Sequence, residues 1–93
     1  MLEVKQREED SKGSFYIEIE GRKMAEMTYS KAGTDRIIID HTEVDGELRG
    51  QGAGRLMVES AVAYARAKKI SIIPLCPFAR SVFDKNPELR DVL

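Results

Sequence analysis

Apolar and polar side chains alternate through much of the first half of the chain. Residues 14–20 show the period-2 pattern of a half-buried antiparallel strand, with apolar positions at Phe15, Ile17 and Ile19. Residues 23–30 alternate in the same way. Gly21 followed by Arg22 predicts a two-residue type II′ turn, so that the two segments form a hairpin. A weaker pattern at residues 2–7 predicts one further strand before them.

The next apolar run, residues 36–44, has a different character. Its three consecutive isoleucines at 37–39 precede polar residues, which predicts a strand buried on both faces at its start and open at its end. From residue 51 to about residue 69 the apolar positions recur with the helical period, which predicts an amphipathic helix that covers a sheet. Residues 70–75 then form a short apolar strand, which is expected to pair parallel to the earlier strand in a βαβ crossover.

Three prolines mark the last part of the chain. Pro74 has no N–H to donate, so pairing of the last strand should stop near residue 74 and leave its end splayed. Pro77 and Pro87 stand where proline favours the first turn of a helix, which predicts short helices at residues 78–85 and 88–93. The sequence therefore predicts an α/β fold with a mixed sheet. In it, antiparallel N-terminal strands precede a βαβ crossover with splayed parallel strands and short C-terminal helices.

The composition is that of one small domain, expected to span residues 1–93. Fifteen Lys and Arg against sixteen Asp and Glu give a formal net charge of -1, so a nucleic-acid partner is not expected. No apolar run approaches the roughly 18–20 residues of a membrane span, and no secretory signal is evident, which predicts a cytoplasmic protein without a membrane partner. Cys76 and His41 are the single cysteine and histidine, so neither an internal disulfide nor a Cys/His metal centre is expected.

The segment from Arg49 to Arg55 is the most informative for function, because it leads from a loop into the predicted helix. Its glycines at 50, 52 and 54 remove side chains where backbone N–H groups are free at the positive end of a helix dipole. A pyrophosphate could bind there, with Arg49 or Arg55 adding positive charge. The P-loop and dinucleotide fingerprints do not fit this segment. A glycine-rich turn that only allows close packing is the alternative.

The same segment resembles the acetyl-CoA signature of GNAT-type N-acetyltransferases, Arg/Gln-x-x-Gly-x-Gly/Ala, matched by Arg49, Gly52 and Gly54. The order of predicted elements is similar as well. More narrowly, His-Thr-Glu-Val at 41–44 and Ile-Pro-Leu-Cys-Pro-Phe at 73–78 resemble a minimal, single-domain GNAT subfamily. The resemblance covers about residues 15–93. It implies a GNAT-like acyl-CoA N-acyltransferase fold that uses acetyl-CoA or coenzyme A.

By position, the resemblance implies a cofactor site along one strand end and the glycine-rich segment. Thr42 and Val44 would lie beside the amides of the pantetheine arm, and an N–H of this region would polarise the thioester carbonyl. Main-chain N–H groups of the glycine-rich segment would hold the pyrophosphate. The residues assigned in this way to the cofactor are Thr42, Val44, Arg49, Gly50, Gln51, Gly52, Ala53, Gly54 and Arg55.

The implied reaction is attack of an amine on the acetyl thioester, which requires removal of an ammonium proton and stabilisation of the CoA thiolate. His41 and Glu43 are candidate bases, since they alternate onto one face of the strand while Thr42 and Val44 point the other way. His41 could equally be a polar strand-end residue. Cys76 follows the last strand and precedes a helix, so it could take the acetyl group, assist the leaving thiolate or only line the pocket.

Two departures from the family pattern bear on function. Many GNAT enzymes carry a tyrosine as general acid in the helix after the last parallel strand, whereas Val82 and Phe83 stand there and no tyrosine follows Tyr64. The acceptor-binding walls of larger relatives are also largely missing. The sequence predicts an acetyl-CoA-dependent N-acetyltransferase that acts on an amine of a small molecule or protein, as a monomer or weak homodimer. The alternative is a CoA-binding or interaction module with little turnover.

Overall fold

The computed structural model describes residues 2–93. Its strands and helices are β1 Lys5–Glu9, β2 Lys12–Ile19, β3 Arg22–Lys31, β4 Arg36–Val44, α1 Ala53–Lys68, β5 Ser71–Pro74 and α2 Pro77–Lys85. Two short 3-10 helices, Gly46–Leu48 and Pro87–Val92, precede α1 and follow α2. The strands form one sheet in chain order, antiparallel from β1 to β4 and parallel between β4 and β5. This arrangement confirms the predicted mixed α/β fold with its βαβ crossover.

The hairpin between β2 and β3 differs from the prediction by one residue. Ile19 pairs with Arg22, so the two-residue loop is Glu20-Gly21 and not Gly21-Arg22. Both loop residues have positive φ, 52° and 78°, which is the signature of a type I′ turn and not of type II′. Glycine therefore occupies the second loop position. The predicted C-terminal helix at 88–93 is also present, but as the 3-10 helix Pro87–Val92.

A β-bulge interrupts β4 at Asp40. Ile39 lies opposite Tyr29 of β3, whereas His41 lies opposite Thr28, the preceding residue of that strand. Two residues of β4 thus span a single step of β3, and Asp40 is the extra one. Such a bulge reverses the alternation of side chains between the two faces of the sheet.

The bulge determines which half of the His-Thr-Glu-Val segment points towards the helices. Thr42 and Val44 lie opposite Met27 and Ala25, which are buried in the core. Side chains on directly opposed residues share a face of the sheet, so Thr42 and Val44 lie on the helix side. His41 and its neighbour at position 43 therefore lie on the other face.

The helices cover one face of the sheet. α1 contributes a row of fully buried side chains, comprising Met57, Val58, Ala61, Val62 and Ala65, and α2 adds Ala79 and Phe83. These residues pack against the inward positions of the strands, among them Phe15, Ile17, Ile37, Ile39 and Ile72. Within residues 2–93, the opposite face carries mostly polar and charged side chains. None of the described helices has the length and apolar character needed to cross a membrane.

Candidate active site

The two parallel strands separate where β5 ends. Their pairing runs from Arg36 opposite Ser71 to Ile39 opposite Pro74. The N–H groups of the next two residues, 75 and 76, both donate to the carbonyl of Ile39, at 3.2 and 3.1 Å. Past this point β4 continues to Val44 and pairs only with β3. The splay predicted from Pro74 is therefore present, and we call the gap beside residues 40–44 of β4 the β4–β5 wedge.

The backbone of β4 presents free hydrogen-bonding groups to this wedge. Asp45 donates its N–H to the carbonyl of Met24 in β3, at 2.8 Å. Because successive residues of a strand point their N–H and C=O groups to opposite sides, Thr42 and Val44 point theirs away from β3. The Thr42 N–H meets the sulfur of Cys76, which leaves the Thr42 carbonyl and both backbone groups of Val44 free. An extended ligand with amide groups could pair with them as an added strand would.

A cleft of about 570 Å³ continues from the wedge along the start of α1 to α2. Seven of the nine residues assigned to the cofactor line this cleft: Val44, Arg49, Gly50, Gly52, Ala53, Gly54 and Arg55. Gln51 does not line it: its main-chain N–H donates to the carbonyl of Leu48, at 3.1 Å, and its side chain to the carbonyl of Glu47, at 3.2 Å. Thr42 lies deeper in the wedge, against Cys76. The structure thus brings most of the predicted cofactor residues together around one cavity.

The glycine-rich segment places the N-terminus of α1 at the cleft. Gly50 and Gly52 have φ values of 84° and 73°, and a side chain is strained at such angles. Gly52 is the N-cap of α1 and supplies no side-chain cap. The N–H groups of the first turn, beginning at Ala53, have no acceptor within the helix and remain available for an anion.

Gly54 is needed for a different reason. A Cβ atom on this residue would stand 2.2 Å from Cζ of Phe78, so the bare backbone is what lets the aromatic ring of α2 lie against α1. The glycine-rich segment therefore combines the two predicted roles, an anion-binding loop and a turn that allows close packing. Gly50 and Gly52 shape the loop, whereas Gly54 allows close packing.

The charges around the cleft are positive. Arg49, Arg55 and Lys85 line it, and no acidic residue does among residues 2–93. The guanidinium of Arg55 is partly neutralised, since it lies 3.0 Å from Glu59 and 3.6 Å from Glu88. Arg49 and Lys85 are thus the cations best placed to meet a phosphate.

The sequence interpretation missed the part of the cleft that α2 contributes. Phe78, Ser81, Val82 and Lys85 line it together with Asn86, whose side-chain amide donates to the carbonyl of Val82, at 2.7 Å. The signal was present, because positions 78, 81, 82 and 85 have the spacing of one helix face. That face combines an apolar ring, a hydroxyl group and a terminal ammonium group.

Cys76 is the N-cap residue of α2 and is only 5% exposed. Its Sγ donates to Oγ1 of Thr42, at 3.3 Å, and the thiol also interacts with the backbone N–H groups of Thr42, Phe78 and Ala79. Burial raises the pKa of the Cys76 thiol, but these hydrogen bonds outweigh burial and leave the pKa below its ordinary value. The surroundings thus stabilise the thiolate form of Cys76 relative to that of an ordinary cysteine.

His41 and Glu43 lie together, but not at Cys76. Nε2 of His41 is 3.0 Å from Oε1 of Glu43, and both side chains are largely exposed on the face of the sheet opposite α1. The prediction that they share a face, with Thr42 and Val44 on the other, agrees with this register. To act on a ligand in the wedge, His41 or Glu43 would have to exchange protons with it around the edge of β4.

Comparison with known proteins is informative at this point. The family model described as GCN5-related N-acetyl-transferase matches residues 14–92. The chain belongs to the GCN5-related N-acetyltransferase family. This membership confirms the resemblance drawn from the glycine-rich segment and its flanking motifs. A search of curated protein sequences finds no significant match.

Solved structures place this member of the GCN5-related family beside relatives of different size. A GCN5-like protein from Staphylococcus aureus, solved by NMR, is 38% identical with a TM-score of 0.74, over 98% of this chain and 86% of that one. Ribosomal-protein-alanine N-acetyltransferase from Brucella melitensis biovar Abortus 2308 is 14% identical, with a TM-score of 0.70 over 84% of this chain and 62% of that one. AAC(6')-Iy, in complex with the bisubstrate analogue CoA-S-monomethyl-acetylneamine, is 12% identical, with a TM-score of 0.57 over 88% and 63%. The last two likenesses concern the fold alone.

Proposed function

We propose that this protein is an acetyl-CoA-dependent N-acetyltransferase that transfers the acetyl group to an amine of a small molecule or protein. The observation that carries the proposal is the continuity of the β4–β5 wedge with a positively charged cleft at the open end of α1. The wedge and the cleft together form one channel. Its end at the N-terminus of α1 suits a pyrophosphate, and its end in the wedge suits an extended chain with amide groups. Membership of the GCN5-related family supports the same reading.

Each part of the channel matches a part of coenzyme A. The first-turn N–H groups of α1, with Arg49 and Lys85, would hold the phosphates. The carbonyl of Thr42 and the backbone groups of Val44 would pair with the pantetheine amides. The apolar side chains of the cleft, including Phe78, would cover the methylene groups of the pantetheine arm. When bound, acetyl-CoA supplies the activated acetyl thioester.

Side chains and backbone groups of the protein would then remove the ammonium proton of the acceptor and stabilise or protonate the leaving CoA thiolate. An alkyl ammonium with a pKa of about 10.4 must lose a proton before its nitrogen can attack, and the pair His41–Glu43 could accept that proton through water. The Val44 N–H points into the wedge and could stabilise the negative charge that develops on the thioester carbonyl oxygen when the amine attacks the carbonyl carbon. At the leaving sulfur, Cys76 as a thiol could give its proton to the CoA thiolate. As a thiolate it could instead attack the thioester carbonyl carbon, release the CoA thiolate and then pass the acetyl group to the amine nitrogen.

A second candidate function is supported by one observation. The face of α2 that lines the cleft carries Phe78, Ser81 and Val82, with no tyrosine to act as general acid. The Ser81 hydroxyl is already engaged, since it donates to the carbonyl of Phe78, at 2.7 Å. A module that binds CoA or a partner with little turnover is consistent with this surface.

Release of free CoA thiol tests the proposed function directly. Acetyl-CoA should be mixed with the protein and a panel of primary amines, polyamines and basic peptides, with each acceptor omitted in turn as the control. We expect thiol release that requires both protein and acceptor. Mass spectrometry of the quenched mixture would show whether Cys76 carries an acetyl group. CoA binding without acceptor-dependent release across the panel would favour the binding module instead.

A further inference from the structure

The environment of Cys76 contains one feature that sequence motifs do not indicate. Four polar groups lie around its sulfur. Sγ donates to the hydroxyl oxygen of Thr42 in β4, at 3.3 Å, and the backbone N–H groups of Thr42, Phe78 and Ala79 lower the pKa of the thiol. Three of these groups belong to the main chain, which any residue could supply. The Thr42 hydroxyl is the one side-chain group in the set.

The hydroxyl group is well suited to follow the ionisation of the sulfur. A neutral thiol can donate to Oγ1 across the observed 3.3 Å, and a thiolate can accept from the same hydroxyl once the O–H bond has rotated. A hydrogen bond to an ionised acceptor is roughly twice as strong as one between neutral groups. Thr42 therefore stabilises the thiolate more than the thiol.

No charged side chain accounts for this effect. Burial raises the pKa of the Cys76 thiol, and hydrogen bonds to Thr42, Ala79 and Phe78 lower it. From β4, the titratable neighbours His41 and Glu43 lie on the opposite face of the sheet. In the adjoining cleft, Arg49, Arg55 and Lys85 line the surface, and none of them contributes to the shift. Among the hydrogen bonds that lower this pKa, the one to Thr42 is thus the bond that involves a side chain of the protein other than Cys76 itself.

We propose that Thr42 is a positioning residue for Cys76: its hydroxyl group, 3.3 Å from Sγ, holds the sulfur in the β4–β5 wedge and donates to it when the thiol ionises. The importance of this contact for catalysis rests on the proposed function, in which Cys76 serves the acetyl group or the leaving sulfur. The contact itself does not depend on that function. Its effect on ionisation is measurable without acetyl-CoA, so failure of one proposal can be distinguished from failure of the other.

The test is a titration of the single thiol. Ultraviolet absorbance of the thiolate is followed against pH in the full chain, with Cys76→Ala as the blank that removes the tyrosine signal. Thr42→Val keeps the shape of the side chain and removes the hydroxyl group, whereas Thr42→Ser keeps the hydroxyl group. Thr28→Val, on the uncovered face of the sheet, is the matched control. Circular dichroism verifies the fold, and Thr42→Ala replaces the valine variant if that does not fold.

We expect the thiol midpoint to rise by about one pH unit in Thr42→Val, a tenfold change in ionisation, because one hydrogen bond to a charged acceptor is lost. Thr42→Ser and Thr28→Val should titrate like the wild type. A purely structural role of Thr42 would change stability and leave the midpoint in place. An unchanged midpoint in the variant without the hydroxyl group, or an equal rise in Thr42→Ser, would overturn the proposal.

Discussion

The carboxylate of Glu8 shows how one residue can connect three elements. It accepts hydrogen bonds from the hydroxyl groups of Tyr29 and Tyr64, at 2.7 and 2.9 Å, and forms an ion pair with Lys31, at 2.7 Å. These partners belong to β3 and α1, whereas Glu8 belongs to the edge strand β1. The hydrogen bond from Lys31, followed by that from Tyr29, lowers the pKa of Glu8 to about 2.

This network makes the stability of the protein dependent on pH. The pKa of Glu8 is lower in the folded than in the unfolded chain, so its contribution is complete above about pH 4.5 and is lost as the pH falls towards 2. Glu8→Gln should cost about 1–2 kcal/mol at neutral pH, a figure reduced for the partial exposure of the group. Urea unfolding at several pH values measures both effects.

The neighbouring Glu9 provides the control. It carries the same charge and lies opposite Lys12 in the β1–β2 hairpin, away from the two tyrosines that bind Glu8. Glu9→Gln should leave the free energy of unfolding within about 0.5 kcal/mol of wild type. Equal acid sensitivity in Glu8→Gln and wild-type protein would show that the network does not cause it.

At the scale of elements, the packing of α2 on α1 depends on one missing side chain. Gly54→Ala places a methyl group where the Phe78 ring lies. The ring is 41% exposed and can move towards solvent, but it then loses its packing against α1. We expect a loss of about 1–2 kcal/mol in chemical denaturation. Gly46→Ala, where an added Cβ meets nothing within 4 Å, should lose far less.

A double-mutant cycle makes this prediction specific. With Phe78→Ala in the background, Gly54→Ala should be close to neutral, because the clash has been removed and alanine favours a helix over glycine. Equal losses in both backgrounds would mean that the contact between the two helices is not what requires glycine.

The elements also show how far the sequence determines the fold. Period-2 alternation located β2 and β3, and the helical period located α1, because each repeats over enough residues to stand out. The bulge at Asp40 could not be seen in the same way. Three consecutive isoleucines precede it and polar residues follow, so the alternation is absent at the step where it reverses.

The site was partly predictable for a similar reason. Gly50, Gly52 and Arg49 could be assigned from the chain because a glycine-rich entry into a helix has its own physical signature. The contact between Thr42 and Cys76 spans 34 positions and depends on the angle at which the two strands separate. Such a distance is set by tertiary packing, and no local pattern encodes it.

For the whole molecule, the near-zero net charge conceals an uneven distribution. The cleft holds Arg49, Arg55 and Lys85, whereas carboxylates including Glu26, Asp40 and Glu43 lie outside it. Positive potential is therefore concentrated where the phosphates of a bound cofactor would lie. Binding of coenzyme A should depend on these local cations rather than on the total charge.

Calorimetric titration with coenzyme A tests this central claim most directly. Wild-type protein should bind it, and Arg49→Glu should weaken binding by about tenfold or more, since a phosphate partner is replaced by a like charge. Arg36→Glu makes the same charge change at the far end of β4, outside the cleft, and should bind within about twofold of wild type. Absence of binding to the wild type, or equal weakening in both variants, would contradict the assignment of this cleft to coenzyme A.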